Sequence, residues 1–195
     1  MPREMHVNLP KVLLVDDEKE VADAYALRLE GVADVTITYS GEEALSTVDP
    51  SAPPDVVLLD RHMPGQSGDE VLEELRRRDL RTRVVMVTAI DPGLEILDLP
   101  FDDYLCKPVE REDVRAAVDQ QCQVLAYALL GEYFRLESRR AVIEAELPPE
   151  RLADHDEFGD LDRRTDALRE RASRLLPEAS DMLAAFSGID RTGYR

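Results

Sequence analysis

Val12-Leu13-Leu14-Val15-Asp16-Asp17 decides how this chain is read: four apolar residues run straight into two carboxylates. The pattern returns as Val56-Val57-Leu58-Leu59-Asp60, as Val84-Val85-Met86-Val87-Thr88 and, more briefly, as Tyr104-Leu105-Cys106-Lys107. Short apolar runs without polar alternation are strands buried on both faces, which occur where helices cover a parallel sheet. In such sheets ligands bind beyond the carboxyl ends of the strands. Asp16, Asp17, Asp60, Thr88 and Lys107 all stand at those ends, so three carboxylates, a hydroxyl and an ammonium are expected to converge.

Helix-length segments separate the runs and complete an α/β alternation of five strand–helix units between residues 11 and 122. A helix from Glu18 to Glu30 is expected to bury Val21, Tyr25 and Leu29. A strand over Val35–Tyr39 precedes a short helix from Gly41 to Val48, which ends at the proline-rich turn 49–54. After the loop Met63-Pro64-Gly65-Gln66-Ser67-Gly68, a helix to Asp79 buries Val71, Leu72 and Leu75 and exposes Arg76, Arg77 and Arg78. Beyond Thr88 the pattern weakens. Asp91-Pro92-Gly93 and Leu99-Pro100 leave only Leu94–Asp98 for a helix, so that element should be short or irregular.

From Glu110 to Glu146 there is no proline, and one long helix is expected. Cys122, Leu129, Leu136 and Ile143 recur at heptad spacing, with Leu125, Ala126 and Tyr133 beside them. Residues 148–159 read as a polar loop. A second helix from about Asp160 repeats Leu161, Leu168, Leu175 and Met182, and Thr165, Ala172, Ala179 and Phe186. Two such stripes predict an antiparallel helical hairpin or coiled coil, with Pro177 kinking or interrupting its second arm. The expected organisation is an α/β domain over 10–122 and a helical hairpin over 123–190, continuous with the last helix of the first domain.

The net charge is −18, and only Lys11, Lys19 and Lys107 are lysines among 24 basic residues. So acidic and lysine-poor a surface suits a salt-rich cytoplasm, in which salt screens self-repulsion. Both parts are acidic, with 27 acidic and 13 basic residues through Cys122 and 15 against 11 beyond it, which disfavours general nucleic-acid binding. Cys106 and Cys122 fit no CxxC pattern, so neither a disulfide framework nor a zinc site is expected. Residues 1–10 lack the charged and apolar regions of a signal peptide, and no apolar run reaches membrane-spanning length. A cytoplasmic protein without membrane association is the expectation.

Paired acids after the first strand and a third after another make a hard-oxygen site suited to Mg²⁺, which prefers oxygen ligands and retains several waters. A carboxylate is also a competent nucleophile toward phosphorus, while a lysine and a hydroxyl can neutralise phosphoryl oxygens. Val15-Asp16-Asp17-Glu18, Asp60 with Met63-Pro64-Gly65 and Gly68, Thr88-Ala89, and Asp103-Tyr104-Leu105-Cys106-Lys107-Pro108 together resemble a response-regulator receiver domain, over residues 10 to 122. The resemblance implies a five-stranded, doubly wound, flavodoxin-like (CheY-like) sheet. It makes Asp60 the phosphoacceptor, with Asp16, Asp17, Asp60 and the His62 backbone carbonyl as Mg²⁺ ligands. It makes Thr88 the switch hydroxyl, Tyr104 the switch aromatic and Lys107 the phosphoryl contact, with a cis bond to Pro108. A sensor histidine kinase or phosphotransfer protein would be the donor, and the chain would not be a turnover enzyme.

Two departures from that family are visible. Thr88 and Lys107 are 19 positions apart, a few fewer than usual, which puts the usual output geometry in doubt. Ile90 is apolar where a polar residue could orient attacking water, so a slowly decaying phosphoryl group is expected. Tyr127-Ala128-Leu129-Leu130-Gly131-Glu132-Tyr133-Phe134, Ala141–Glu146 and Ala184-Ala185-Phe186 resemble the HalX domain appended to receivers in haloarchaea. A homodimer through helices 110–146 and 160–187 is expected, with a role in transcription control open.

Four other readings are weaker. An unphosphorylated pseudo-receiver would not need the intact acids and lysine. A Mg²⁺-dependent phosphohydrolase would require an acid two residues after Asp60, where His62 stands. DNA binding through Arg163, Arg164, Arg169, Arg171 and Arg174 is opposed by the interleaved Asp162, Asp166 and Glu170. Asp154, Asp156, Gly159, Asp160 and Asp162 mimic part of an EF-hand, but Thr165 occupies the position of its bidentate glutamate, so a helix N-terminal turn is expected instead.

Overall fold

Each of the apolar runs forms a strand, hydrogen-bonded in parallel to at least one neighbouring strand. The computed structural model describes residues 9–89, 93–148, 151–152 and 155–187. The chain divides into two compact units, Met1–Cys122 and Gln123–Arg195.

In the first unit, β1 (Lys11–Val15), β2 (Asp34–Thr38), β3 (Val56–Leu59), β4 (Arg83–Thr88) and β5 (Asp103–Cys106) form one parallel sheet ordered β2-β1-β3-β4-β5. This is the doubly wound arrangement, with its switch point between β1 and β3. Alternate residues of the central strands serve opposite faces. Leu13, Val15, Val57, Leu59, Val84 and Met86 pack with Val71, Leu72 and Leu75 of α3 (Gly68–Arg77) and Ala44 of α2 (Gly41–Thr47). Val12, Leu14, Val56, Leu58, Val85 and Val87 are equally buried.

α1 (Lys19–Leu29) buries Ala22, Tyr25 and Leu29, whereas Val21 is only half-buried. The Tyr25 hydroxyl accepts from the Val109 amide at 3.1 Å. Ser40 caps α2, and Ser67 and Glu70 form a reciprocal capping box at the start of α3, fixing where the loop after β3 becomes helix.

Several boundaries differ from the sequence reading. β2 begins and ends one residue early, because Asp34 pairs with Lys11 and its amide bonds Pro10 O at 2.9 Å. α3 stops at Arg77, with Asp79 in the left-handed region at φ 51°, a conformation an aspartate tolerates. Arg76 is not a solvated charge. Its guanidinium bonds Pro100 O, Thr82 O and the Asp102 carboxylate at 2.7–2.9 Å, and Arg83 pairs with the same carboxylate at 2.8 Å. The shortened segment before β5 is thereby tied to the end of α3. Within it Leu94–Asp98 forms a 3-10 turn. Ile90 lies outside the described residues.

α4 (Arg111–Glu146) is the long helix. In the second unit its Leu125, Ala126, Leu129, Leu130, Tyr133 and Leu136 are buried, as are Thr165, Leu168, Ala172 and Leu175 of α5 (Asp156–Leu175). Ile143 is 36% exposed, so the apolar stripe fades near the end of α4. α5 starts earlier than expected, and residues from Asp156 onward are helical where a loop was read. The Thr165 hydroxyl bonds back to Leu161 O and Asp162 O, leaving no calcium loop among the described residues; Asp154 is outside them. Pro177 interrupts the second arm, and α6 (Ala179–Ser187) resumes beyond it. Phe186 of α6 stacks on Phe134 of α4 at 4.4 Å between ring centroids.

Candidate functional site: an acidic cluster at the switch point

Register places the candidate residues. Val15 of β1 pairs with Thr38 of β2 and Leu59 of β3, so Asp16 and Asp60 both emerge immediately beyond the sheet. The Asp60 amide bonds Val15 O at 2.9 Å, and the Lys107 amide bonds Thr88 O at 2.8 Å. Backbone pairing alone therefore brings four chain segments to one crevice.

Carboxylate oxygens of Asp16, Asp17 and Asp60 lie within 4.8 Å of one another. Asp16 is buried; one oxygen accepts from the Glu18 amide at 3.0 Å and the other from Lys107 Nζ at 2.7 Å. Lys107 Nζ also stands 3.3 Å from Asp60 Oδ1. One ammonium thus bridges two of the acids. Burial pushes the Asp60 carboxyl above the ordinary carboxylate range, and the charge of Asp16 adds to this; Lys107 and the Arg61 amide oppose it without cancelling it. Burial alone would lower the Lys107 pKa, but its hydrogen bond to Asp16 and the charges of Asp60 and Asp16 raise it, so it is an ammonium at neutral pH. Three clustered carboxylates against one ammonium leave excess negative charge, which a divalent cation satisfies.

Thr88 is buried at the end of β4. Tyr104 is half-buried against the α3 side of the core, its ring 5.6 Å from that of Phe101. The Lys107–Pro108 peptide is cis. The His62 side chain is exposed in the loop after β3.

A pair that the sequence reading passed over lies directly beside the site. Arg61 is 10% exposed at its side chain, and its Nε and Nη2 meet the Asp69 carboxylate at 3.2 Å. Its guanidinium also donates to the Tyr104 hydroxyl. The available signal was an arginine following Asp60 with an acid in the first turn of the next helix.

The arginines of α5 are largely occupied within the second unit. Arg163 pairs with Asp160, Arg164 with the buried Glu132, and Arg169 with Asp166. They do not form an unpaired basic stripe. Cys106 and Cys122 are not joined in a disulfide. No described helix is long and apolar enough to cross a membrane.

The acid cluster and the lysine stand at the switch point of a doubly wound parallel sheet, where such sheets bind ligands. Residues 12–119 match the response regulator receiver domain family, and residues 123–186 match the HalX domain. The chain belongs to the response-regulator receiver family and carries a HalX domain after the receiver. It is 41% identical over 160 residues to a Haloferax volcanii protein named "Putative transcriptional regulator", covering 81% of this chain and 27% of that one. It is 39% identical over 115 residues to the sensory transduction protein RegX3 of Mycobacterium tuberculosis, covering 56% of this chain and 49% of that one. The chain therefore spans half or less of the length of these relatives. Among solved structures, the beryllofluoride-activated receiver domain of DrrB aligns with a TM-score of 0.53 at 26% identity, over 58% of this chain and 97% of that one.

Proposed function

We propose that this chain is a two-component response regulator whose receiver, residues 10–122, accepts a phosphoryl group on Asp60 and signals through the helical domain over 123–190. The observation that carries this reading is Lys107 bridging Asp16 and Asp60 within an acid cluster at the β1/β3 switch point. An Asp60 oxygen attacks the phosphorus of a phosphohistidine, the phosphorus–nitrogen bond breaks, and the imidazole retains the electron pair. Lys107 neutralises one phosphoryl oxygen and Thr88 donates its hydroxyl to another. Asp16, Asp17, Asp60 and the His62 carbonyl would hold Mg²⁺, which neutralises phosphoryl charge when bound. The donor is a sensor histidine kinase or phosphotransfer protein in the cytoplasm. Phosphate turnover is limited to hydrolysis of the aspartyl phosphate, because the exposed His62 is no substitute for the second acid of a phosphohydrolase.

The test is incubation of full-length protein with acetyl phosphate and Mg²⁺ at high salt. One added phosphoryl group per chain is expected by mass, and an unmodified protein that also ignores beryllofluoride supports a pseudo-receiver. Metal binding has its own readout. Saturating Mg²⁺ at about 100 times its Kd adds about 2.7 kcal/mol of stability by mass action. A thermal scan should show that gain, and Asp17→Asn should lose most of it.

The helical domain supports a homodimer through helices 110–146 and 160–187. Residues 120–131 carry no charge in a chain that is 34% charged, and the stretch includes residues facing away from the hairpin core. There Tyr127 is 54% and Val124 41% exposed. Gly131 shares that face in the middle of α4, where an added Cβ would meet nothing within 4 Å. A mid-helix glycine costs about 1 kcal/mol against alanine, and no described residue of its own unit explains it. A second helix approaching closely does. Beryllofluoride with Mg²⁺ should shift full-length protein toward dimer in sedimentation at high salt, while Tyr127→Glu stays monomeric yet still binds beryllofluoride. Equal dimerisation of that variant would remove this face from the interface. Through such assembly the protein acts in transcription control with protein partners, direct DNA contact being disfavoured by the paired arginines.

A further inference from the structure

Arg61 is an expensive residue to bury. A guanidinium taken from water must recover its solvation from acceptors, and a buried ion pair adds little net stability over an apolar residue of similar size. What it adds is geometry, because the planar fork fixes both partners. Here the partners are Asp69, in the first turn of α3, and the hydroxyl of Tyr104 on β5. Its own backbone is equally constrained. Arg61 follows Asp60 directly, and its carbonyl accepts from the Gly68 amide at 2.9 Å.

We infer that Arg61, anchored by Asp69, is a positioning residue that holds Tyr104 in the arrangement seen here and sets the ease with which phosphorylation of Asp60 displaces it. The inference rests on the phosphoacceptor reading above. When Thr88 is drawn toward a phosphoryl group and Tyr104 follows, the Tyr104 hydroxyl leaves Arg61, and a hydrogen bond to a charged group is lost. The same displacement frees Arg61 and disturbs the first turn of α3. The signal then has a route through the β3–α3 loop that bypasses the shortened segment between Thr88 and Lys107. Asp69 is partly exposed, so this route ends at the surface.

The test is a double-mutant cycle on beryllofluoride binding with Mg²⁺, in full-length protein at high salt. Arg61→Gln should tighten binding about tenfold, since one hydrogen bond to a charged group no longer opposes the switch. In a Tyr104→Phe background the same substitution should change nothing, because the hydroxyl it acts through is gone. Asp69→Asn, at a more exposed position, should shift affinity in the same direction by less, and serves if Arg61→Gln fails to fold. A wild type that does not bind beryllofluoride overturns the phosphoacceptor reading and the inference with it. A wild type that binds, with Arg61→Gln acting equally in both backgrounds or not at all, overturns the inference alone.

Discussion

Asp60→Asn is expected to abolish phosphoryl incorporation from acetyl phosphate completely and to raise the thermal stability of the protein. Loss of incorporation follows from chemistry: the amide is a poor nucleophile toward phosphorus, and the neighbouring acids occupy other positions around Lys107. The stability gain follows from electrostatics. The Asp60 carboxyl titrates above its ordinary value, with burial as the main cause and Asp16 adding to it. A raised carboxyl pKa means that the folded protein binds the proton more tightly than the unfolded chain. Ionisation of Asp60 therefore opposes folding, and its penalty grows as pH rises from the unfolded pKa through the folded one. Above the folded pKa the penalty is present, and asparagine removes it. A gain is expected, read as a Tm above that of the wild type in the absence of Mg²⁺. Saturating Mg²⁺ should shrink the difference, because a bound cation relieves the same repulsion in the wild type. Thermal scans at neutral and mildly acidic pH check the sign, since the advantage of Asp60→Asn must fade on acidification. A variant less stable than the wild type at neutral pH contradicts the charge argument.

Gly68→Ala should be the most disruptive conservative change in the receiver. A Cβ at Gly68 would lie 2.2 Å from Asp60 O and 2.9 Å from Arg61 Cα, both backbone atoms that cannot swing aside. The loop after β3 must open to admit the methyl group. That would break the Gly68–Arg61 hydrogen bond and displace the residues beside Asp60. Overpacking at buried positions costs about 1–3 kcal/mol and occasionally more, and a clash with fixed backbone belongs at the upper end. Denaturant titration measures this loss, and beryllofluoride binding should fall with it. Gly65 offers the contrast. Its φ is +78°, with nothing within 4 Å of an added Cβ, so Gly65→Ala suffers only backbone strain of about 1 kcal/mol. If the two alanine variants are equally stable, the close approach of Gly68 to Asp60 is not a constraint.

The β-strands were legible because their signal is local. Val12–Val15, Val56–Leu59 and Val84–Val87 are apolar on both faces, and only helices on both sides of a sheet accept such runs. The clustering of Asp16, Asp17, Asp60 and Lys107 was also legible, since parallel strands place their carboxyl ends on one edge. The start of α5 was misread because Asp156, Glu157 and Asp160 look like loop residues, although acids favour the first turn of a helix through its dipole. Arg76 at the end of α3 looked like a solvated charge until Pro100 O and the Asp102 carboxylate arrived from a distant part of the chain.

The sequence by itself determined the order of strands and helices, the family, and which acids and which lysine meet at one edge, because those depend on periodicity and on strand direction. Only the tertiary structure decided what each charge touches. It placed Lys107 between Asp16 and Asp60, and it joined Arg61 to Asp69 and Tyr104 across eight and forty-three positions of sequence. Ion pairs and buried hydrogen bonds are fixed by distance in space, and no local pattern encodes the partner of a long, flexible side chain.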